Sequence, residues 1–156
     1  MGSVEPLLAC SLKEGDYRNH ATTLDRTLIA ARIKVFIADA NGSGAQQIAD
    51  ELNKSHGSHI VYSAQCDVSD WDSQRKAFET AIDTLGGRIN YVLPIAGIGE
   101  RRSFPNKPTS KGFEKPDLKV IEVDEIGVIY TLSLAVQHFR RQEKDKHGSR
   151  GKSESM

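Results

Sequence analysis

Apolar positions along the chain fall into two kinds of pattern. Residues 34–39 (KVFIAD), 59–66 (HIVYSAQC) and 89–96 (INYVLPIA) are short, continuous and rich in β-branched side chains. That is the pattern of strands buried on both faces. Around them the spacing is helical. Residues 24–33 place Leu24, Leu28, Ile29 and Ile33 on one face, residues 45–55 place Ile48, Ala49 and Leu52, and residues 71–85 place Trp71, Phe78, Ile82 and Leu85. Ser69 is the predicted N-cap of this third helix, and Gly86-Gly87 its stop. A longer helix is predicted over 117–141, with Leu118, Ile121, Val128, Leu132, Ala135, Val136 and Phe139 as its apolar positions.

Strands alternating with helices across short turns predict an α/β fold, a parallel sheet with crossover helices. Three strands are clear, and Leu7 to Leu12 offers a fourth. Three segments follow: an irregular stretch over 1–22, a folded domain over 23–141, and a charged, Gly/Ser-rich tail over 142–156 that is expected to be disordered. Gly15 to His20 reads as loop, and 97–116 as a long polar loop. In such sheets ligands sit beyond the carboxyl ends of the strands. The rule directs attention to Asp39, to Cys66-Asp67-Val68 and to Ile95-Ala96-Gly97.

Composition narrows the function classes. The chain has 156 residues and a formal net charge of zero, which argues against nucleic acid or a membrane surface as main partner. No run approaches the roughly 20 apolar residues of a membrane helix, and the short apolar run after Glu5 is too short for a signal peptide. Cys10 and Cys66 form no redox or metal motif, so a reduced, cytoplasmic setting is expected. Asn41-Gly-Ser and Asn53-Lys-Ser match the glycosylation pattern by chance on this reading. His20, His56, His59, His138 and His147 lie in loops, at a strand edge and at helix ends, and are expected to be surface residues rather than metal ligands. Gly42-Ser-Gly44 and Gly97-Ile-Gly99 fail a full Gly-x-Gly-x-x-Gly pattern, because Gln47 and Arg102 hold the third positions. Both read as ordinary turns.

The strand ends and the last helix together resemble the short-chain dehydrogenase/reductase family over about residues 24–152. The resemblance implies a partial Rossmann-like, doubly wound sheet of three to four strands and an NAD(P)-dependent oxidoreductase acting on a small carbonyl or alcohol. Asp39 sits where the family places an acidic residue after the second strand; it would accept from adenosine ribose hydroxyls and repel a 2′-phosphate, favouring NAD over NADP. Asp67-Val68 resembles the family's Asp-Val step beside the adenine. Ala96-Gly97 matches the end of the Asn-Asn-Ala-Gly motif, with Pro94 and Ile95 in place of its asparagines. Val123-Asp124-Glu125-Ile126-Gly127-Val128-Ile129-Tyr130-Thr131 resembles the helix segment Val-Asn-x-x-Gly-Val-x-x-Thr, with Asp124 in the family's Asn position. A carboxylate there accepts but cannot donate, so the family's proton relay cannot run unchanged.

Two departures shape the functional expectation. Upstream of Leu24 the Gly-rich phosphate loop is replaced by a segment with Gly15, Glu14 and Asp16, so pyrophosphate binding is expected to be weak or lost. Downstream, no Tyr-x-x-x-Lys follows Tyr130, and Tyr17, Tyr62 and Tyr91 have no Lys four residues later. No catalytic residue of the family's Ser-Tyr-Lys set is intact, and an impaired or inactive enzyme is expected. The alternatives are a non-catalytic nucleotide-binding or interaction module, or an inactive truncated product. In the family the final helix packs at a dimer interface, so a homo-oligomer through 117–141 is a further expectation.

Overall fold

The structure, a computed structural model, describes the backbone of residues 6–11 and all of residues 33–99, 109 and 111–153. Five strands and three helices are defined among them. In chain order they are β1 (Pro6–Ser11), β2 (Lys34–Asp39), α1 (Gly42–His56), β3 (Val61–Gln65), α2 (Trp71–Leu85), β4 (Tyr91–Pro94), α3 and β5 (Lys152–Ser153). Helix α3 runs over 119–141 in three pieces: a turn at Lys119–Ile121, a π-helical segment Glu122–Ile126, and the α-helix Gly127–Arg141.

The sheet is wholly parallel, in the order β3-β2-β1-β4-β5. The chain moves outward from β1 to β3 and then returns across β1 to β4, so the strand order reverses between β1 and β4. The sheet has five strands where three to four were expected. The additions are β1, which the sequence offered as a substitute first strand within a segment otherwise read as irregular, and the two-residue β5. The predicted helix over 24–33 falls almost wholly outside the described residues, as does half of the 97–116 loop.

Each face of the sheet is covered by what its side chains demand. Phe36, Ala38, Cys66, Val68 and Val92 pack with Ala77, Phe78, Ala81 and Leu85 of α2 and with Val123 and Ala135 of α3. On the other face Val35 and Val61 pack with Ala49 of α1, joined by half-buried Ile37, Leu52, Leu93 and Ile95. Asp70, in extended conformation, caps α2 by accepting the Ser73 N–H at 3.0 Å. The cap is therefore Asp70 and not Ser69, whose own N–H and hydroxyl are turned back onto Asp67. Gly86 ends α2 in the left-handed conformation at φ 91°, which side-chain-bearing residues adopt with strain.

The buried stripe of α3 is narrower and more polar than its sequence suggested. Val123, Gly127, Thr131 and Ala135 face inward at four-residue intervals. Leu118, Ile121 and Val136, three of the expected core positions, are exposed, as is Ile129. Small residues take the inner face because the helix lies so near the sheet: a Cβ on Gly127 would meet the Val68 side chain and carbonyl at 3.1 Å.

After α3 the described residues continue to Ser153, and the segment read as a tail from 142 onward makes specific bonds there. Gln142 is buried; its side-chain N–H donates to the Ile89 carbonyl at 2.7 Å and to the Arg150 carbonyl, and its oxygen accepts the Ile89 N–H. Arg88 donates to the Glu143 carbonyl at 2.7 Å and to Asn90. The Lys152 N–H reaches the Asn90 carbonyl at 2.8 Å. These bonds fix β5 beside β4 at the amino-terminal edge of the sheet.

Candidate functional site

Strand register brings the sequence-derived residues to one edge. Ser11 pairs with Asp39, and Asp39 with Gln65, so β1, β2 and β3 end in line; Cys10 pairs with Pro94, which places the end of β4 beside them. Asp39, Asp67, Val68, Ala96 and Gly97 all lie at or just beyond these carboxyl ends. This is also where the strand order reverses, the crevice that open α/β sheets use for ligands.

Asp39 is buried, and its carboxylate accepts the Asn41 N–H at 2.8 Å. Asn41 in turn caps α1, its side-chain oxygen accepting the Gly44 N–H at 3.0 Å. The start of α1 lies hard against β3: a Cβ on Gly42 would fall 2.8 Å from the Gln65 Cβ. Gly42-Ser-Gly44 forms the first turn of α1 itself, a correction to its reading as an ordinary turn; its glycines serve the helix start and its packing.

Asp67 is exposed and held in a defined pose. One carboxylate oxygen accepts the Ser69 N–H at 2.9 Å and the Ser69 hydroxyl at 2.6 Å, a local turn typical of Asp. The Asp67 N–H donates to the Ser73 hydroxyl at 3.0 Å. From the start of α3 the Lys119 ammonium donates to the Ser69 oxygen at 2.7 Å. The Ser69 hydroxyl, and less strongly the Lys119 charge, hold the Asp67 carboxyl below its usual range, so it is ionised at neutral pH. Lys119 also borders a crevice of about 240 Å³ shared with Lys115, Pro116, Asp117, Leu118 and Glu122.

Val68 is buried at the base of this edge. Its carbonyl accepts from the buried Gln74 amide at 2.6 Å; the same amide donates to the Gly127 carbonyl at 2.8 Å, and its oxygen lies 2.8 Å from the Thr131 hydroxyl. This polar joint ties the β3–α2 turn to α3. Sequence reasoning missed it, along with the Ser69–Lys119 contact. Gln74 reads as one more polar helix position, and Lys119 lies fifty residues from its partner.

Ala96 and Gly97 are half-buried and irregular in backbone. Asp124 reaches them from the π-helical segment, its carboxylate accepting the Ile98 N–H at 2.9 Å. The π turn widens the helix by one residue and is often found at functional sites. Gly97 has room beside it, since a Cβ there would lie 3.7 Å from the Asp124 oxygen.

Burial pushes the Cys66 thiol up to about 11, so it stays protonated. Among the described residues no three His, Cys, Asp or Glu side chains gather as a metal site, and no helix is long and apolar enough to cross a membrane. Asn53, in one glycosylation-like triplet, spends its side chain on Ile60 and Val61. His138 corrects the surface reading: its Nε2 is buried without a partner, against Phe78.

The edge offers acceptors where an adenosine offers donors. Two carboxylates suit ribose hydroxyls and an exocyclic amine, and the bare Gly97 backbone permits close approach. The residues therefore fit the adenosine half of a dinucleotide.

Comparison with known proteins agrees on the family. Residues 21–149 match the short chain dehydrogenase family. The uncharacterized oxidoreductase YuxG of Bacillus subtilis is 32% identical over 121 residues, which are 76% of this chain and 16% of that protein. A 3-ketoacyl-(acyl-carrier-protein) reductase from Brucella melitensis, solved with NADH, superposes with a TM-score of 0.63 at 19% identity, over 87% of this chain and 50% of that one. An alcohol dehydrogenase from the archaeon Thermococcus sibiricus, solved with 5-hydroxy-NADP, gives 0.63 at 22% identity, over 88% and 55%. The chain thus spans half the length or little more of these solved relatives, and less of the Bacillus protein.

Proposed function

The chain belongs to the short chain dehydrogenase family, and on that premise we propose that it holds the adenosine half of a nicotinamide dinucleotide for hydride transfer between the nicotinamide and a small carbonyl or alcohol. The observation that carries the reading is the alignment of Asp39, Asp67 and Ala96-Gly97 along one carboxyl edge, at the reversal of strand order. Asp39 accepts from the ribose hydroxyls, Asp67 faces the adenine, and Gly97 lets the backbone approach. The bound dinucleotide supplies the hydride chemistry; these residues only bind and orient it. An anion at Asp39 disfavours a 2′-phosphate, so NAD is preferred to NADP.

Turnover by these 156 residues alone is impaired on this reading. They contain no Tyr-x-x-x-Lys, and Asp124 stands in the relay position with its carboxylate committed to the Ile98 N–H. The test is calorimetric titration of the chain with NADH and NADPH. NADH is expected to bind the more tightly, and Asp39→Asn to narrow the gap by about ten-fold through loss of charge repulsion. Absence of binding by both at millimolar concentration contradicts the proposal, as does carbonyl reduction by the purified chain the claim of impairment.

A second reading, assembly through α3, is favoured by the exposed stripe of Leu118, Ile121, Ile129 and Val136, since soluble monomers seldom expose such patches without use. Light scattering of the purified chain decides it: a dimer mass that Ile129→Glu reduces to a monomer is expected, and a monomeric wild type refutes it.

A further inference from the structure

The brace behind Asp67 gives Lys119 a task that its position on the surface of α3 does not announce. Four contacts define it. The Lys119 ammonium donates to the Ser69 oxygen at 2.7 Å, the Ser69 hydroxyl donates to the Asp67 carboxylate at 2.6 Å, the Ser69 N–H donates to the same carboxylate oxygen at 2.9 Å, and Asp117 anchors the Lys119 backbone N–H at 2.9 Å. A serine hydroxyl has one hydrogen and can give it in only one direction at a time. By occupying the lone-pair side of that oxygen, the ammonium turns the single hydrogen toward Asp67. A chain of bonds so ordered is stronger than its parts, because each donor polarises the next. The carboxylate of Asp67 is exposed, so without the brace it would rotate freely in water.

We infer that Lys119 is a positioning residue for base recognition, acting through Ser69 to fix the Asp67 carboxylate as an acceptor for the exocyclic amino group of an adenine. The inference rests on the reading above, that the end of β3 takes the adenosine half of a dinucleotide. It adds a specificity that this reading lacks. A purine with an oxo group at the same position presents an acceptor to a carboxylate and is repelled. Lys119 itself stays outside contact with the base. Its ammonium is shared between Ser69 and a longer ion pair with Glu122 at 3.7 Å, so its loss frees the Ser69 hydroxyl to turn away and leaves the Asp67 carboxylate held by the Ser69 N–H alone.

The experiment titrates the full chain with NAD and with its hypoxanthine analogue, in which the adenine amine is replaced by oxygen. Wild type is expected to bind NAD about ten-fold more tightly than the analogue, the worth of one charge-assisted hydrogen bond. Lys119→Met and Ser69→Ala are each expected to remove most of that ratio, by weakening NAD binding and relieving the repulsion of the analogue. Lys119→Arg, which keeps a charged donor, is expected to retain it. Equal discrimination in wild type and in both variants overturns the inference and leaves the nucleotide reading intact. So does a wild type that binds both ligands equally. Failure of wild type to bind either ligand removes the reading itself, and the inference with it. A second readout needs no ligand: by carbon NMR, the Asp67 carboxyl is expected to titrate at higher pH in Ser69→Ala than in wild type, and an unchanged titration overturns the brace.

Discussion

The two edges of this sheet use the same kinds of groups to opposite ends. At the amino-terminal edge the polar side chains turn inward. Gln142 satisfies both backbone groups of Ile89, Arg88 caps two carbonyls and reaches Asn90, and Lys152 closes onto Asn90. At the carboxyl edge the bonds around Asp67 orient a charge toward solvent, and the Ile95–Gly99 backbone runs past it without regular pairing. The first arrangement serves the fold. The second holds groups in poses that folding alone does not require. Between the two lies the Gln74–Thr131 joint, buried like the first and placed directly beneath the second.

That division can be broken at the joint first, where the largest effect is expected. Gln74→Leu keeps the volume but strands the Val68 carbonyl without access to water, while the Thr131 hydroxyl keeps its bond to the Gly127 carbonyl at 2.9 Å. Buried unsatisfied groups of this kind cost about 1 to 3 kcal/mol each, so a loss of about 3 kcal/mol is expected in urea unfolding. A loss below about 1 kcal/mol would show that the joint relaxes and does not couple β3 to α3. Because Val68 follows Asp67, the folded fraction of this variant should also bind nucleotide more weakly.

Gln142→Leu sharpens the contrast from the other side. It strands the buried Ile89 N–H and carbonyl; about 2 kcal/mol is expected. Nucleotide affinity of the folded protein should not change. A variant that keeps its stability yet loses affinity would reverse the roles assigned to the two edges.

The sequence was informative where a residue's role is local. Lys34–Asp39 was read to the residue, and the starts and ends of α1 and α2 to within three, because strand length, caps and glycine stops are written in adjacent positions. Asp39, Asp67 and Gly97 could be placed at the carboxyl edge for the same reason: a parallel strand names its own carboxyl end. What was missed depends on partners far along the chain. The inner face of α3 was misread because closeness to Val68 selects Gly127 and Thr131 over larger apolar residues. The bonds of the segment after 142 were not legible because their partners are Arg88, Ile89 and Asn90, more than fifty residues earlier. Charge and glycine content describe how a segment behaves alone, not what a buried glutamine from another element does to it.

The smallest effect tests the amino-terminal side by pH. His138 lies on α3 one turn before Gln142, with its Nε2 buried and unpartnered against Phe78. Burial is the main cause that lowers its pKa from 6.5; Arg141 and Arg88 add to it, against an opposing contact from Gln142. Protonation is therefore easier in the unfolded chain than in the folded one. Linkage then sets the sign: stability is full above about 6.5 and declines as pH falls below it, until the folded-state imidazole also takes its proton. The chain has four other histidines, so the measurement is a difference. Urea unfolding of wild type and His138→Leu is compared from about pH 7.5 to 5.5, a window spanning the ordinary histidine value. The variant should lose less stability across it. Parallel curves would mean that His138 is solvated in both states, and that the inward packing of this edge ends before it.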